Sequence, residues 1–147
     1  MRVRDLMSSN VACCQTDTPL QEVAKMMVDC DCGEIPVADR SGRPVGVVTD
    51  RDIACRAVAQ GRNALELTAG DVMTAPALTV TPEVSLAECC EMLEANQIRR
   101  LPVVDESGRC VGIVSQADIA RHASKRNTAE VLRRVSEPSV RASAVAH

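Results

Sequence analysis

The chain has 147 residues and a formal net charge of −3, so it presents no basic field and nucleic acid is disfavoured as a partner. It contains no Phe, Tyr or Trp, which excludes modules that stack bases on aromatic rings. No apolar run approaches the roughly 18 residues of a membrane span. Met1 to Asp5 lacks the apolar region of a secretory signal, so the expectation is a cytoplasmic protein with no membrane partner.

In chain order, Val11-Ala12-Cys13-Cys14 is short, apolar and suited to a strand. Thr18, Pro19 and Gln21 then fit an N-cap, a first-turn proline and a capping box. Leu20, Val23, Ala24 and Met27 follow at helical spacing and predict one apolar stripe. Ile35-Pro36-Val37-Ala38 and Pro44 to Val48 read as two strands around a turn at Ser41-Gly42. Pro36 cannot donate to a ladder, so its strand is expected to be short or at an edge. A second helix is predicted to begin near Asp52.

The whole order then recurs 66 residues later. Asp71-Val72-Met73 repeats Asp5-Leu6-Met7, Ala77-Leu78-Thr79-Val80 stands where Val11 to Cys14 stood, and Ser85 with Glu88 renews the cap. Leu86, Cys89, Cys90 and Leu93 form the second stripe. Leu101 to Val104 and Cys110 to Val114 make the second strand pair, and Asp118 matches Asp52. Fixed-offset self-similarity decides architecture: an α/β (α+β-like) fold of two β-α-β-β-α repeats packed with pseudo-two-fold symmetry. The boundaries are expected at residues 1–62 and 63–124, followed by a short helical or mobile tail at 125–147. One repeat of about 60 residues alone would be marginal, so the two halves should share a fold.

The chain has eight cysteines, and none is placed as C-x-x-C. In a cytoplasmic chain they are expected as free thiols packing like small hydrophobes. Cys30-Asp31-Cys32 with Cys13-Cys14 is the cluster best placed for a different role.

The motif that carries chemistry is Gly46-Val47-Val48-Thr49-Asp50-Arg51-Asp52 and its twin Gly112-Ile113-Val114-Ser115-Gln116-Ala117-Asp118. Glycine permits close approach of backbone or ligand. A hydroxyl at a helix start suits phosphate, and an ionised Asp, which only accepts hydrogen bonds, suits a vicinal diol such as ribose. The same residues also make good helix caps. The residues by themselves support both readings.

This double pattern resembles a tandem cystathionine-β-synthase (CBS) domain pair, or Bateman module, of the small stand-alone bacterial type, over roughly residues 3–124. The resemblance implies regulatory binding of AMP, ADP or ATP, or of S-adenosylmethionine or NAD, with no catalysis and no obligatory cofactor or metal. It implies that Asp52 and Asp118 take ribose hydroxyls while Thr49 and Ser115 help hold ribose or phosphate. Backbone beside Ile35-Pro36 and Leu101-Pro102 would meet the adenine edge. Residues near Val11-Ala12 and Ala77-Leu78 would wall the ring. The family further implies a disc-like homodimer that signals to an effector protein the sequence does not name.

The repeats differ at one point. Arg99-Arg100 precedes Leu101-Pro102, whereas Gly33-Glu34 precedes Ile35-Pro36. Guanidinium favours phosphate and carboxylate opposes it. Unless these charges are merely solvated, the cleft built on Asp118 is expected to take the more anionic nucleotide. The competing functional reading is a cysteine-based redox- or metal-responsive structural module whose cleft binds nothing. An enzyme is disfavoured, since no triad, P-loop or metal-ligand motif is present.

Overall fold

The computed structural model describes residues 1–122 and 132–138. The main elements are helix α1 (Leu20–Cys30), strands β1 (Glu34–Ala38) and β2 (Pro44–Thr49), helix α2 (Asp50–Ile53) and helix α3 (Ala69–Val72). Helix α4 (Leu86–Asn96), strands β3 (Arg100–Val104) and β4 (Cys110–Ser115), and helix α5 (Gln116–His122) follow. A π turn, Ala54–Val58, extends α2. The predicted stripes are buried at Leu20, Val23 and Met27 on α1, and at Cys89, Cys90 and Leu93 on α4.

The strands form two antiparallel pairs in the same register: Glu34 faces Thr49 in one, Arg100 faces Ser115 in the other. Gly42 and Gly108 close the two hairpins at the same left-handed φ of 85°. Their tips meet, with Arg43 Nε donating to Ser107 O at 3.1 Å and Cys110 N to Gly42 O at 2.9 Å. The symmetry-related backbone bond is impossible, because Pro44 stands where Cys110 stands and has no N–H.

Two expectations are corrected here. The segments Val11–Cys14 and Ala77–Val80 do not form strands. Each makes one parallel bridge, Cys14 to Val37 and Val80 to Val103. Pro36 and Pro102 explain the limit: they accept from Cys14 N and Val80 N but have no N–H to extend the ladder. Thr18 does not cap α1. Its hydroxyl accepts from Gln15 N at 2.9 Å, and Pro19 holds the cap position without a side-chain bond. Ser85 does cap α4, accepting from Glu88 N at 3.2 Å.

Each half borrows the beginning of the other. Val3 and Leu6 pack with Leu93, Leu101, Val103 and Ile119 in the second core. Ala69 and Val72 pack with Leu20, Ile35, Val37 and Val48 in the first. The crossing is sealed by backbone bonds, Val3 N to Val84 O and Ala69 N to Thr18 O, both at 2.9 Å. Glu83 adds an ion pair to Arg4 and one to Arg2 at 2.6 Å. The motif glycines make room for these crossing arms. A Cβ at Gly46 would lie 2.8 Å from Thr74 O, and one at Gly112 would lie 2.7 Å from Ser8 O. The close approach that the sequence left open is therefore one of backbone. Of the tail expected at 125–147, 132–135 is helical, and residues 125–131 and 139–147 lie outside the described residues.

Candidate ligand-binding cleft

At the start of α5, Asp118 and Ser115 form a reciprocal cap. Ser115 N and Oγ donate to Asp118 Oδ2 at 2.8 and 3.0 Å, and Asp118 N donates back to Ser115 Oγ at 3.2 Å. Asp118 Oδ1 has no hydrogen-bond partner among the described residues. The twin site differs. Asp52 pairs with Thr49 in the same way, both bonds at 3.0 Å, but Thr74 Oγ1 also donates to its two oxygens at 3.2 and 3.3 Å. Arg56 Nε stands 3.8 Å from Asp52 Oδ1 while its Nη1 donates to the carbonyls of Val72 and Met73. Asp52 is buried and saturated; Asp118 is half-buried and keeps an oxygen to spare.

The reason lies in two positions. Thr74 corresponds to Ser8 and Arg56 to His122 under the 66-residue offset. Ser8 is exposed and His122 is exposed, and no bond joins either to Asp118 among the described residues.

Ser115 and Asp118 open onto a cleft of about 360 Å³, within the range of small-molecule sites. Its opposite walls come from the first half: Val11 and Ala12 before the Cys14 bridge, and Ile35 and Pro36 on β1. Cys30, Asp31 and Cys32, with Ser8, Asn10, Ile113, Ala117 and Arg121, also line it. The cleft thus gathers one predicted set: Ser115, Asp118, Ile35, Pro36, Val11, Ala12 and Arg100. The other predicted residues, Thr49, Asp52, Leu101, Pro102, Ala77, Leu78 and Arg99, do not line it. The crossing arms dictate this grouping, since they set the second motif against the first half's strand.

Glu34 and Arg100 both line this cleft. They are the same position in the two repeats, so the sequence separates them while the fold brings them together near the pseudo-two-fold axis. Glu34 is only 9% exposed, and its Oε2 is buried without a hydrogen-bond partner. Burial pushes its carboxyl up to about 7, against the pull of Arg100 and with help from nearby Asp52. Sequence reasoning noticed Glu34 as a charge but not as a wall of the Asp118 cleft. Ser8, Asn10 and Arg121 were missed altogether, although the offset would have flagged Ser8 as the counterpart of Thr74.

Only some of the cysteines pack as the small hydrophobes expected of them. Cys14, Cys89 and Cys90 are buried, Cys32 and Cys110 are intermediate, and Cys13, Cys30 and Cys55 are exposed. Among the described residues no three His, Cys, Asp or Glu side chains gather as a metal site would need, and no helix is long and apolar enough to cross a membrane.

Comparison with known proteins settles the family. The CBS domain model matches twice, at residues 3–57 and 69–125. The chain belongs to the CBS domain family. Hypoxic response protein 1 of Mycobacterium tuberculosis is 34% identical over 140 residues, spanning 95% of this chain and 97% of that protein. Its crystal structure, with two coordinated zinc ions, superposes with a TM-score of 0.77 at 35% identity over 84% of this chain and all of that one. The CBS domain pair of protein MJ0100, solved with 5′-methylthioadenosine and S-adenosylmethionine, is 29% identical with a TM-score of 0.75, covering 82% of this chain and 94% of that one. CBSX2 in complex with AMP is 27% identical with a TM-score of 0.72, over 83% and 95% of the two chains.

Proposed function

We propose that this chain is a regulatory module that binds an adenosine-containing small molecule in the Asp118 cleft and does no chemistry on it. One observation carries the reading: Asp118, whose Oδ1 has no hydrogen-bond partner among the described residues, lines a cleft together with the apolar Val11, Ala12, Ile35 and Pro36. In this reading Asp118 accepts from the ribose hydroxyls and Ser115 holds the carboxylate in place. Val11, Ala12 and Ile35 enclose the purine, which needs no aromatic partner. Adenosine ligands in MJ0100 and CBSX2 support the ligand class.

The Asp52 site is structural in this reading, because its carboxylate already has its partners. One ligand per chain is therefore expected. Asp118→Ala should weaken adenosine-ligand binding ten-fold or more, the worth of hydrogen bonds to a charged group, and leave the fold intact. Undiminished binding in that variant would contradict the assignment. Signalling requires that the ligand favour one of two conformations. A homodimer passing this preference to an effector protein belongs to the same proposal, and sedimentation with and without ligand tests it.

A further inference from the structure

Cys13 and Cys110 belong to different repeats, and the fold brings their thiols together. Cys14 N donates to Pro36 O at 3.0 Å and Ala38 N donates to Cys14 O at 2.8 Å, which lays this segment along β1. The Cys14 side chain packs in the first core, and its neighbour Cys13 is exposed. Cys110 opens β4 and is tied to the first half by its N–H, 2.9 Å from Gly42 O. Its Sγ stands 3.6 Å from Gly112 O, and the Cys13 thiol donates a hydrogen bond to that same sulfur. Cys110 is only partly buried, so solvent reaches the pair. The contact occurs once. Under the 66-residue offset Thr79 stands for Cys13 and Pro44 for Cys110, so the packing of the halves does not itself require sulfur there.

We infer that Cys13 and Cys110 are a redox couple that closes to a disulfide between the two halves when the protein meets a hydroperoxide. Cys110 is the nucleophile. The hydrogen bond from Cys13 favours its thiolate and holds it below the usual thiol range, while Cys13 keeps its proton. With hydrogen peroxide, the Cys110 sulfur attacks one oxygen, the O–O bond breaks, and hydroxide leaves and is protonated to water; Cys110 is then a sulfenic acid. The Cys13 sulfur attacks the Cys110 sulfur, the S–O bond breaks, and the leaving hydroxide takes the Cys13 proton as a second water. Two thiols have lost two protons and two electrons, and one peroxide has gained them. Ala12, directly before Cys13, and Ile113, three residues after Cys110, both line the cleft, so the bond ties two of its sides together. It also closes a long loop of chain, which restrains the unfolded state. None of this depends on what the cleft binds.

The full chain is treated with hydrogen peroxide, alkylated with N-ethylmaleimide under denaturing conditions, and digested with trypsin. The expected product is the peptide of residues 5–25 joined to that of residues 110–121. Fragment ions should place the bond at Cys13 and not at Cys14, dithiothreitol should release it, and Cys30 and Cys55 should carry the alkyl group. The oxidised chain should melt above the reduced one. Cys13→Ser should melt as the reduced parent does, which shows that it is folded, gain nothing from peroxide, and leave Cys110 as a sulfenic acid that dimedone captures. Both cysteines alkylated after peroxide, a bond from either to another cysteine or to a second chain, or an oxidised parent that melts no higher than the reduced one would overturn the inference.

Discussion

The hydroxyl of Thr74 lies 3.2 and 3.3 Å from the two carboxylate oxygens of Asp52, a contact that has no counterpart at Asp118 among the described residues. Thr74 arrives on the crossing arm of the second repeat and donates to the Asp52 carboxylate. Ser8 arrives on the arm of the first repeat, stays exposed, and leaves Asp118 open. A repeated motif thus has one carboxylate tied into the fold and, in the proposed function, one left to take a ligand.

Substitutions at the two aspartates should therefore report on different things. Asp52→Ala removes the acceptor for Thr49 N and Thr74 Oγ1 and leaves Arg56 without its carboxylate. A loss of roughly 2 kcal/mol of stability is expected in urea denaturation, the scale of a broken cap and an orphaned buried donor. Asp118→Ala should cost less stability and more ligand affinity. The reverse pattern would mean that the roles are exchanged.

Glu34 makes stability depend on pH in a definite direction. Its carboxyl is raised by burial from an ordinary 4.5 to about 7 in the folded protein. Between those values the folded state holds a proton that the unfolded state has released, so stability falls as pH rises through that window and is flat above it. The span corresponds to about 3 kcal/mol. Arg100 and Asp52 both act on this group, and their opposing effects are included in its position. Thermal melts of Glu34→Gln should be flatter than the parent's from pH 5 to 7 and higher at pH 8. Parallel curves would show that the burial of Glu34 carries no such cost.

Gly112 tests the crossing arm. A Cβ there would lie 2.7 Å from Ser8 O and 3.2 Å from Met7 Sδ, so the backbone of the arm must move. Gly112→Ala should cost roughly 1–3 kcal/mol, as overpacking does, and should weaken ligand binding by displacing Ser8 from the cleft. Gly61→Ala has open space around its added methyl, although its φ of 71° makes it a control for backbone strain alone.

Thiol chemistry gives a footprint. Cys30 is exposed and lines the cleft, while Cys55 is exposed and does not line it. Saturating S-adenosylmethionine should slow alkylation of Cys30 and leave Cys55 unaffected. Cys89, buried and with its thiol pushed up to about 12, should stay unlabelled in both conditions. Equal slowing at Cys30 and Cys55 would place the ligand elsewhere or indicate a global change.

Much of this was legible in the chain. The 66-residue offset gave two equivalent halves, and the Leu20–Met27 and Leu86–Leu93 spacings gave the helices with their buried faces. The strand turns were marked by Gly42 and Gly108. What the pattern did not reveal was which half each segment would join. Val3 and Leu6 are apolar in either core, so only the three-dimensional crossing assigns them to the second. For the same reason Glu34 and Arg100 read as charges of separate clefts until the halves were packed. The failed strands at Val11 and Ala77 trace to prolines across from them, a partner effect invisible in the segments themselves. Thr18 was misread because a competing local bond, to Gln15 N, satisfied its hydroxyl first.

The most direct test of the account is equilibrium dialysis of the full chain against S-adenosylmethionine, 5′-methylthioadenosine and AMP in turn. Without Trp or Tyr the protein scarcely absorbs where adenine does, so bound ligand is read as excess ultraviolet absorbance. The account predicts a saturable excess of one equivalent per chain that disappears in Asp118→Ala. No saturable excess for any of the three, or an excess that survives in Asp118→Ala, would contradict it.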